Sequence, residues 1–257
     1  MEHAVSSGQA GSASQEVRHV GVMRAFSWLE KGWDDLISNP IPSLSHGLIL
    51  MAMGWLIIVI CSTQIELLSL AVSGYELVGQ IFGAGFYALS SLRANGQIAG
   101  FDDSLVAAMI NIGSLARLVG ILAIIAVVWG VVSSALFRQF FGDDMPEVQI
   151  SFYRTIVDWQ DSGFFMRYVA SGAILAVIAF AIAAVSAPML FDRGGSTRHA
   201  INISVKAVAR NPLTMAIWAA IIVVLTAIGF ATFMAGLIVT LPLFGHATWH
   251  AYKDLVS

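Results

Sequence analysis

Long apolar blocks dominate the chain, and its polar residues gather in the stretches between them. A helix needs about 20 mostly apolar residues to cross a bilayer. Six blocks approach that length: His46 to Thr63, Leu67 to Leu92, Leu118 to Phe137, Tyr168 to Leu190, Leu213 to Phe230, and Ala231 to Ala247. The last two are nearly continuous. A tight turn between Gly229 and Gly236 is expected there, because a single apolar helix of roughly 35 residues would overshoot a bilayer of about 30 Å. The predicted fold is all-α, a polytopic transmembrane helix bundle of about six spans arranged as three hairpins.

Each hairpin is led by a stretch with helical amphipathicity. In FSWLEKGWDDLI, Phe26, Leu29, Trp33 and Leu36 recur at spacings of three and four, with Arg24, Lys31, Asp34 and Asp35 elsewhere around the helix. In DDSLVAAMINIGSLARL, Leu105, Met109 and Ile112 form the stripe, and Asp102 or Asp103 is suited to cap its start. In TRHAINISVKAVARNP, the apolar stripe is Ile201, Val205 and Val208, while Arg198, Asn202, Lys206 and Arg210 follow every fourth residue on another face. Such helices lie at the lipid interface with their basic residues near anionic headgroups, or pack under the bundle as cytoplasmic plugs. Asn39-Pro40 and Asn211-Pro212 precede spans one and five, where Asn can cap the new helix and Pro fits its first turn. FGAGFYALSSL at 82–92 and FGHATWHAYKDL at 244–255 close their hairpins with similar text. The pattern predicts a parallel threefold repeat of interfacial helix plus hairpin, unlike the inverted repeats of many transporters.

Composition sharpens this reading. The chain has 257 residues, 58% hydrophobic and 11% charged, with a mean hydropathy of +0.80. Soluble domains carry about 25% charged residues, so the main solvent here is lipid. The net charge is −3, and no basic patch suggests a nucleic-acid partner. Cys61 is the single cysteine, which excludes an internal disulfide. Residues 1–20 lack an apolar run and predict a short disordered tail, with one membrane domain over 21–257.

Lysine and arginine set the orientation. With the N-terminus inside, the cytoplasmic set is Arg18, Arg24, Lys31, Arg93, Arg117, Arg193, Arg198, Lys206, Arg210 and Lys253. Only Arg138, Arg154 and Arg167 fall outside, and the extracytoplasmic segment at about 139–166 carries Asp143, Asp144, Glu147, Asp158 and Asp161. Both termini are therefore expected in the cytoplasm.

Two constellations carry candidate chemistry. His246, His250 and Asp254 are spaced by four on one helix face. Two histidines at that spacing can grip a metal ion, with the carboxylate completing or orienting the set, and His46 and His199 fall on the same side. The same residues, with Trp249, Tyr252 and Lys253, also suit an interfacial anchor or helix packing. Glu76, with Gln80 one turn below it, lies either inside the membrane, where an ionisable group marks proton or cation handling, or at the outer interface if the span begins near Val72. FDRGGS at 191–196 lacks the Gly-Lys-Ser/Thr ending of a phosphate loop. No Ser-His-Asp, Cys-His or paired-carboxylate arrangement stands out, so neither an enzyme nor a cofactor is expected.

GWDDLISNPIPSLSHGL, GAGFYALSSLRANGQ, SAPMLFDRGGSTRHAINISVKAVARNP and PLFGHATWHAYKDLV, in that order, resemble an uncharacterised family of bacterial six-span integral membrane proteins, domain of unknown function 2189. The resemblance runs over roughly residues 20 to 256 and implies a bacterial inner-membrane location and six spans. It implies no activity. The chain departs from it at Gly79-Gln80, where the family's second span often reads Gly-Pro. Three functions follow as expectations: a non-catalytic accessory, assembly or envelope-homeostasis protein, a small-solute or ion transporter or channel using Glu76 and Gln80, and a metal-binding or redox-associated protein using His246 and His250. The expected partners are membrane lipids and a larger membrane protein complex.

Overall fold

Apolar runs, with Pro at two helix starts and glycine at several ends, divide the chain into helices in the computed structural model, which describes residues 16–61, 65–142 and 162–256. The expected tail lies mostly outside those residues, as does the acidic part of the 139–166 segment. The helices are α1 Arg24–Ser38, α2 Pro40–Cys61, α3 Ile65–Ala94, α4 Phe101–Met109, α5 Ile112–Phe141, α6 Ser162–Ala183, α7 Ser186–Arg193, α8 Thr197–Arg210, α9 Pro212–Ala231 and α10 Leu237–Leu255. The all-α expectation holds for the described residues.

Four stretches are long and apolar enough to cross a membrane: Pro40–Cys61, Ile112–Phe141, Gly163–Arg193 and Pro212–Ala231. They correspond to the expected spans one, three, four and five. The expected spans two and six fall on α3, of 30 residues, and α10, of 19, which are more polar and are not among these four. α3 carries Glu66, Glu76, Gln80 and Arg93, and α10 carries His246, His250, Lys253 and Asp254. The turn expected between Gly229 and Gly236 is present: α9 stops at Ala231, and Phe233 and Met234 take positive φ of 52° and 68° before α10 begins.

The helices expected at the interface form, but their burial differs from a simple apolar-face rule. α1 buries Ala25, Trp28, Gly32, Asp35 and Leu36, whereas Phe26 and Trp33 of the expected stripe are 49% and 47% exposed. α8 buries Thr197, Ala200, Ile203, Ser204 and Ala207 and leaves Val205 outward. In α4 only Ser104 is buried, while Leu105 and Met109 face out. The small residues are inside because close helix contact needs little side-chain bulk, and each polar member finds a partner. The predicted second stripe also breaks at Ile110–Asn111, so Ile112 opens α5 and does not continue α4.

All three junctions between an interfacial helix and the next long helix hold an asparagine with similar dihedrals. Asn39 is at φ −130°, ψ 61°; Asn111 at −111°, 23°; Asn211 at −128°, 50°. The side-chain caps expected at Asn39 and Asn211 are a different device: the backbone carbonyls of both residues accept the first helical hydrogen bonds, from Ser43 and Met215. The Asn211 side chain instead accepts from the Val20 N–H at 2.8 Å and donates to the Arg18 carbonyl at 3.0 Å. Asp103 sits at the third position of α4 and accepts from the Gly100 N–H at 2.8 Å. It closes the first turn from inside it.

The core lies around α10, which packs against α1, α2, α3, α7 and α9. Pro242 inside α10 has no N–H to give the Ile238 carbonyl four residues back. α2 crosses there through Gly47, where a Cβ would sit 2.2 Å from that carbonyl oxygen. α1 crosses one turn on through Gly32, where a Cβ would lie 2.7 Å from the Ala247 nitrogen. Hydrogen at these two positions lets three backbones meet.

Candidate functional site

The polar residues of the described chain converge at the end of the bundle formed by α1, the C-terminal ends of α3, α7 and α10, and the start of α2. Here α10 runs LFGHATWHAYKDL, and its periodicity sends successive polar groups to different neighbours.

His246 is fully buried. Its Nε2 lies 3.0 Å from Ser43 Oγ of α2, and its Nδ1 lies 2.8 Å from Ser90 Oγ of α3. A neutral imidazole has one donor and one acceptor nitrogen; with the Ser90 hydroxyl given to Asp35, Nδ1–H donates to Ser90 and Nε2 accepts from Ser43. This is not the geometry of a catalytic triad, since both ring nitrogens end on serines. One turn on, His250 Nε2 is 2.7 Å from Asp35 of α1, and Asp35 also pairs with Arg93 at the end of α3. Burial alone would push the Asp35 carboxyl up; hydrogen bonds from His250, Ser90 and Arg93 outweigh it and hold the group below its ordinary value.

One further turn brings Asp254 to α1, where it accepts from Arg24 Nη2 at 2.6 Å and Trp28 Nε1 at 2.9 Å. Burial pushes this carboxyl up as well, and its bonds from Arg24 and Trp28 again bring it below the ordinary value. On the remaining face, Tyr252 donates to Asp192 of α7 at 2.6 Å and Lys253 reaches the same carboxylate at 2.8 Å. Burial first, then the bond to Asp192, moves the Tyr252 hydroxyl up.

His246, His250 and Asp254 thus share a helix but serve three separate contacts, to α2 and α3, to α1 and α3, and to α1. His46, considered as a fourth ligand, is buried among Phe82, Phe86 and Phe101 with its Nε2 2.8 Å from Ser104 Oγ, and its Nδ1 has no hydrogen-bond partner among the described residues. His199 is on the exposed side of α8. Among the described residues no group of three or more His, Cys, Asp and Glu is placed to hold a metal ion. Trp249 and Tyr252 do not sit as interfacial anchors. Both are buried, and Trp249 forms a triangle with Tyr87 of α3 and Phe191 of α7, with centroid separations of 6.5, 5.8 and 6.0 Å. Tyr87 and Trp249 hold the same place in the two similar closing texts at 82–92 and 244–255.

Glu76 and Gln80 lie away from this cluster. Glu76 is exposed and Gln80 half-buried. Tyr75 and Met234 both reach Gly54, so Glu76 stands near the height of the α9–α10 turn, with α2 and α3 carrying on beyond it. Arg198, Lys206 and Arg210 are exposed along α8, as their spacing predicts.

Sequence reasoning missed Asp35, Arg93, Ser43, Ser90 and Ser104. Serine inside an apolar block resembles filler until its histidine partner is known. Asp35 reads as part of the solvated face of α1.

No significant match is found among curated proteins or among solved structures. A family model described as predicted integral membrane protein (DUF2189) matches residues 67–192, a narrower stretch than the motifs suggested. That match and the apolar helices make this an integral membrane protein, similar over residues 67–192 to the DUF2189 family of predicted integral membrane proteins, whose function is unknown.

Proposed function

We propose that this is a six-span protein of a bacterial inner membrane, with both ends in the cytoplasm. It acts without catalysing a reaction, as an accessory or assembly factor or in envelope homeostasis. The observation that carries the non-catalytic reading is the mutual saturation of the polar cluster. His246, His250, Asp35, Asp254 and Asp192 are each spent on joining helices. The cluster behaves as a clasp, and that is the work of a scaffold.

The six-span reading is supported by helix length. At 1.5 Å per residue, α3 is about 45 Å long, more than a hydrocarbon core of about 30 Å, and α10, about 28 Å, comes close to that thickness. α10 tolerates its polar residues because most of it is buried in protein. Both ends on one side is supported by the chain itself: Arg18 N–H donates to the Leu255 carbonyl at 2.9 Å, and Val17 forms a bridge with Val256. The excess of Lys and Arg on that side favours the cytoplasm.

Two measurements test the reading. Reporter fusions at either end should be active only in the cytoplasm; a periplasmic signal from one end would overturn the topology. Affinity purification from native membranes in mild detergent, read by mass spectrometry, should recover a stoichiometric membrane-protein partner. Recovery of the chain alone counts against an accessory role.

A further inference from the structure

The basic residues near the clasp divide into two groups. Arg24, Arg93, Arg193 and Lys253 pair with Asp254, Asp35 and Asp192. Lys206 and Arg210 do not: both are exposed on α8, a helix with no acidic residue, and neither bonds to a described residue. They stand one helical turn apart on the rim of a groove of about 460 Å³. Val17, Ile203 and Ala209 give this groove apolar walls, and Glu16 is the one acid in its lining. Immediately beyond, Asn211-Pro212 starts the apolar helix α9, and Leu213 at its first turn is 61% exposed.

Two cations at the mouth of a partly apolar groove, at the point where a polar helix gives way to a membrane helix, match a ligand with an anionic head and a hydrocarbon body. We propose that this groove binds the phosphate of an anionic phospholipid between Lys206 and Arg210, with an acyl chain running past Leu213 along α9. A soluble anion would gain the charge contacts alone. An acidic peptide would leave the adjacent apolar surface of α9 to other lipids. The proposal uses the topology above only to choose the leaflet, so a wrong topology would move the lipid to the other leaflet without removing the site.

Native mass spectrometry of the purified full chain tests this, with added phosphatidylglycerol or phosphatidylcholine. The wild-type protein should retain phosphatidylglycerol in preference to phosphatidylcholine. Attraction of about 1 kcal/mol per basic residue makes Lys206→Gln with Arg210→Gln roughly ten- to thirtyfold weaker for phosphatidylglycerol. The exchange Lys206→Arg with Arg210→Lys should retain it. Arg198→Gln, on the same helix outside the groove, should change retention less than about threefold. Unchanged retention in the double glutamine variant overturns the proposal. An equal loss from Arg198→Gln reduces the effect to general surface charge and also overturns it. Displacement of the lipid by inorganic phosphate at constant ionic strength would make this a free-anion site. Matching thermal unfolding of all variants in phosphatidylcholine verifies that the comparison is between folded proteins; if the double variant does not fold, Lys206→Gln alone must lose at least threefold.

Discussion

At the scale of residues, Asp35 joins three helices. Its carboxylate accepts from α10 and α3 while belonging to α1, and its pKa lies below the ordinary value in the folded chain. A depressed carboxylate stabilises the fold above its unfolded pKa, and that contribution is lost as pH falls through the folded value. Asp254 behaves in the same way. Thermal unfolding in detergent should therefore be steady from neutral pH down to about 4 and then weaken in acid. Asp35→Asn should cost about 2 kcal/mol at pH 7 and flatten the acid limb; an unchanged profile would show that the clasp does not bear load. Glycine gives a second test. Gly32→Ala forces a Cβ against the backbone of α10 and should destabilise by roughly 1–3 kcal/mol. Gly120→Ala meets open space on exposed α5 and should be neutral or gain up to about 1 kcal/mol from helix propensity.

At the scale of elements, the interfacial helices show what a sequence pattern can and cannot fix. Their existence was legible, because periodicity and the Asn-Pro punctuation mark the ends of α1 and α8 to within a few residues. Which face turns inward was not. Amphipathicity ranks faces by hydrophobicity, and here the buried faces mix large apolar residues such as Trp28 and Ile203 with Gly, Ala, Ser and Asp, which serve closeness and hydrogen bonds. The same limit hid the clasp: His246 was visible as a spaced histidine, but Ser43 and Ser90 become its partners only once α2 and α3 are packed beside α10. Phe26, Trp33, Leu105 and Met109 are left facing outward, where lipid can cover them. A polarity-sensitive dye on Phe26→Cys or Met109→Cys, in a Cys61→Ala background, should shift to the blue on moving from detergent-free buffer dilution to bilayers, whereas a dye on Asn95→Cys should stay in a water-like environment. A water-like spectrum at Phe26 and Met109 in bilayers would show that neither helix lies on the membrane.

At the scale of the whole molecule, three features recur: an interfacial helix, an asparagine junction, and an aromatic of the closing helix in the Tyr87–Phe191–Trp249 triangle. The threefold pattern expected from short stretches of similar text gains Asn111, which lacks the following proline that marked the other two. The N-terminal segment, which meets the C-terminal one through Arg18–Leu255 and Val17–Val256, is held in turn by the Asn211 side chain at Val20 and Arg18. Asn211→Ala should release this segment and cost roughly 1 kcal/mol or more, since its removal leaves part-buried backbone groups without partners. Hydrogen exchange at Arg18 and Val20 should rise in the variant while exchange in α5 stays constant; uniform change across both would mean the tether is part of one cooperative unit.

The position of α10 has a consequence for how the protein is made. His250 is separated from Asp35 by 215 residues. At synthesis rates of about 5–20 residues per second, Asp35 waits roughly 10–40 s for that partner. Asp192 waits more briefly for Lys253, and Arg93 has only Asp35 to hold in the meantime. Until the ribosome delivers α10, the groups that later form a closed interior are an open polar surface beside the membrane. The nascent protein is thus exposed to misassembly or capture until α10 is made, and the docking of α10 is the step that ends that exposure.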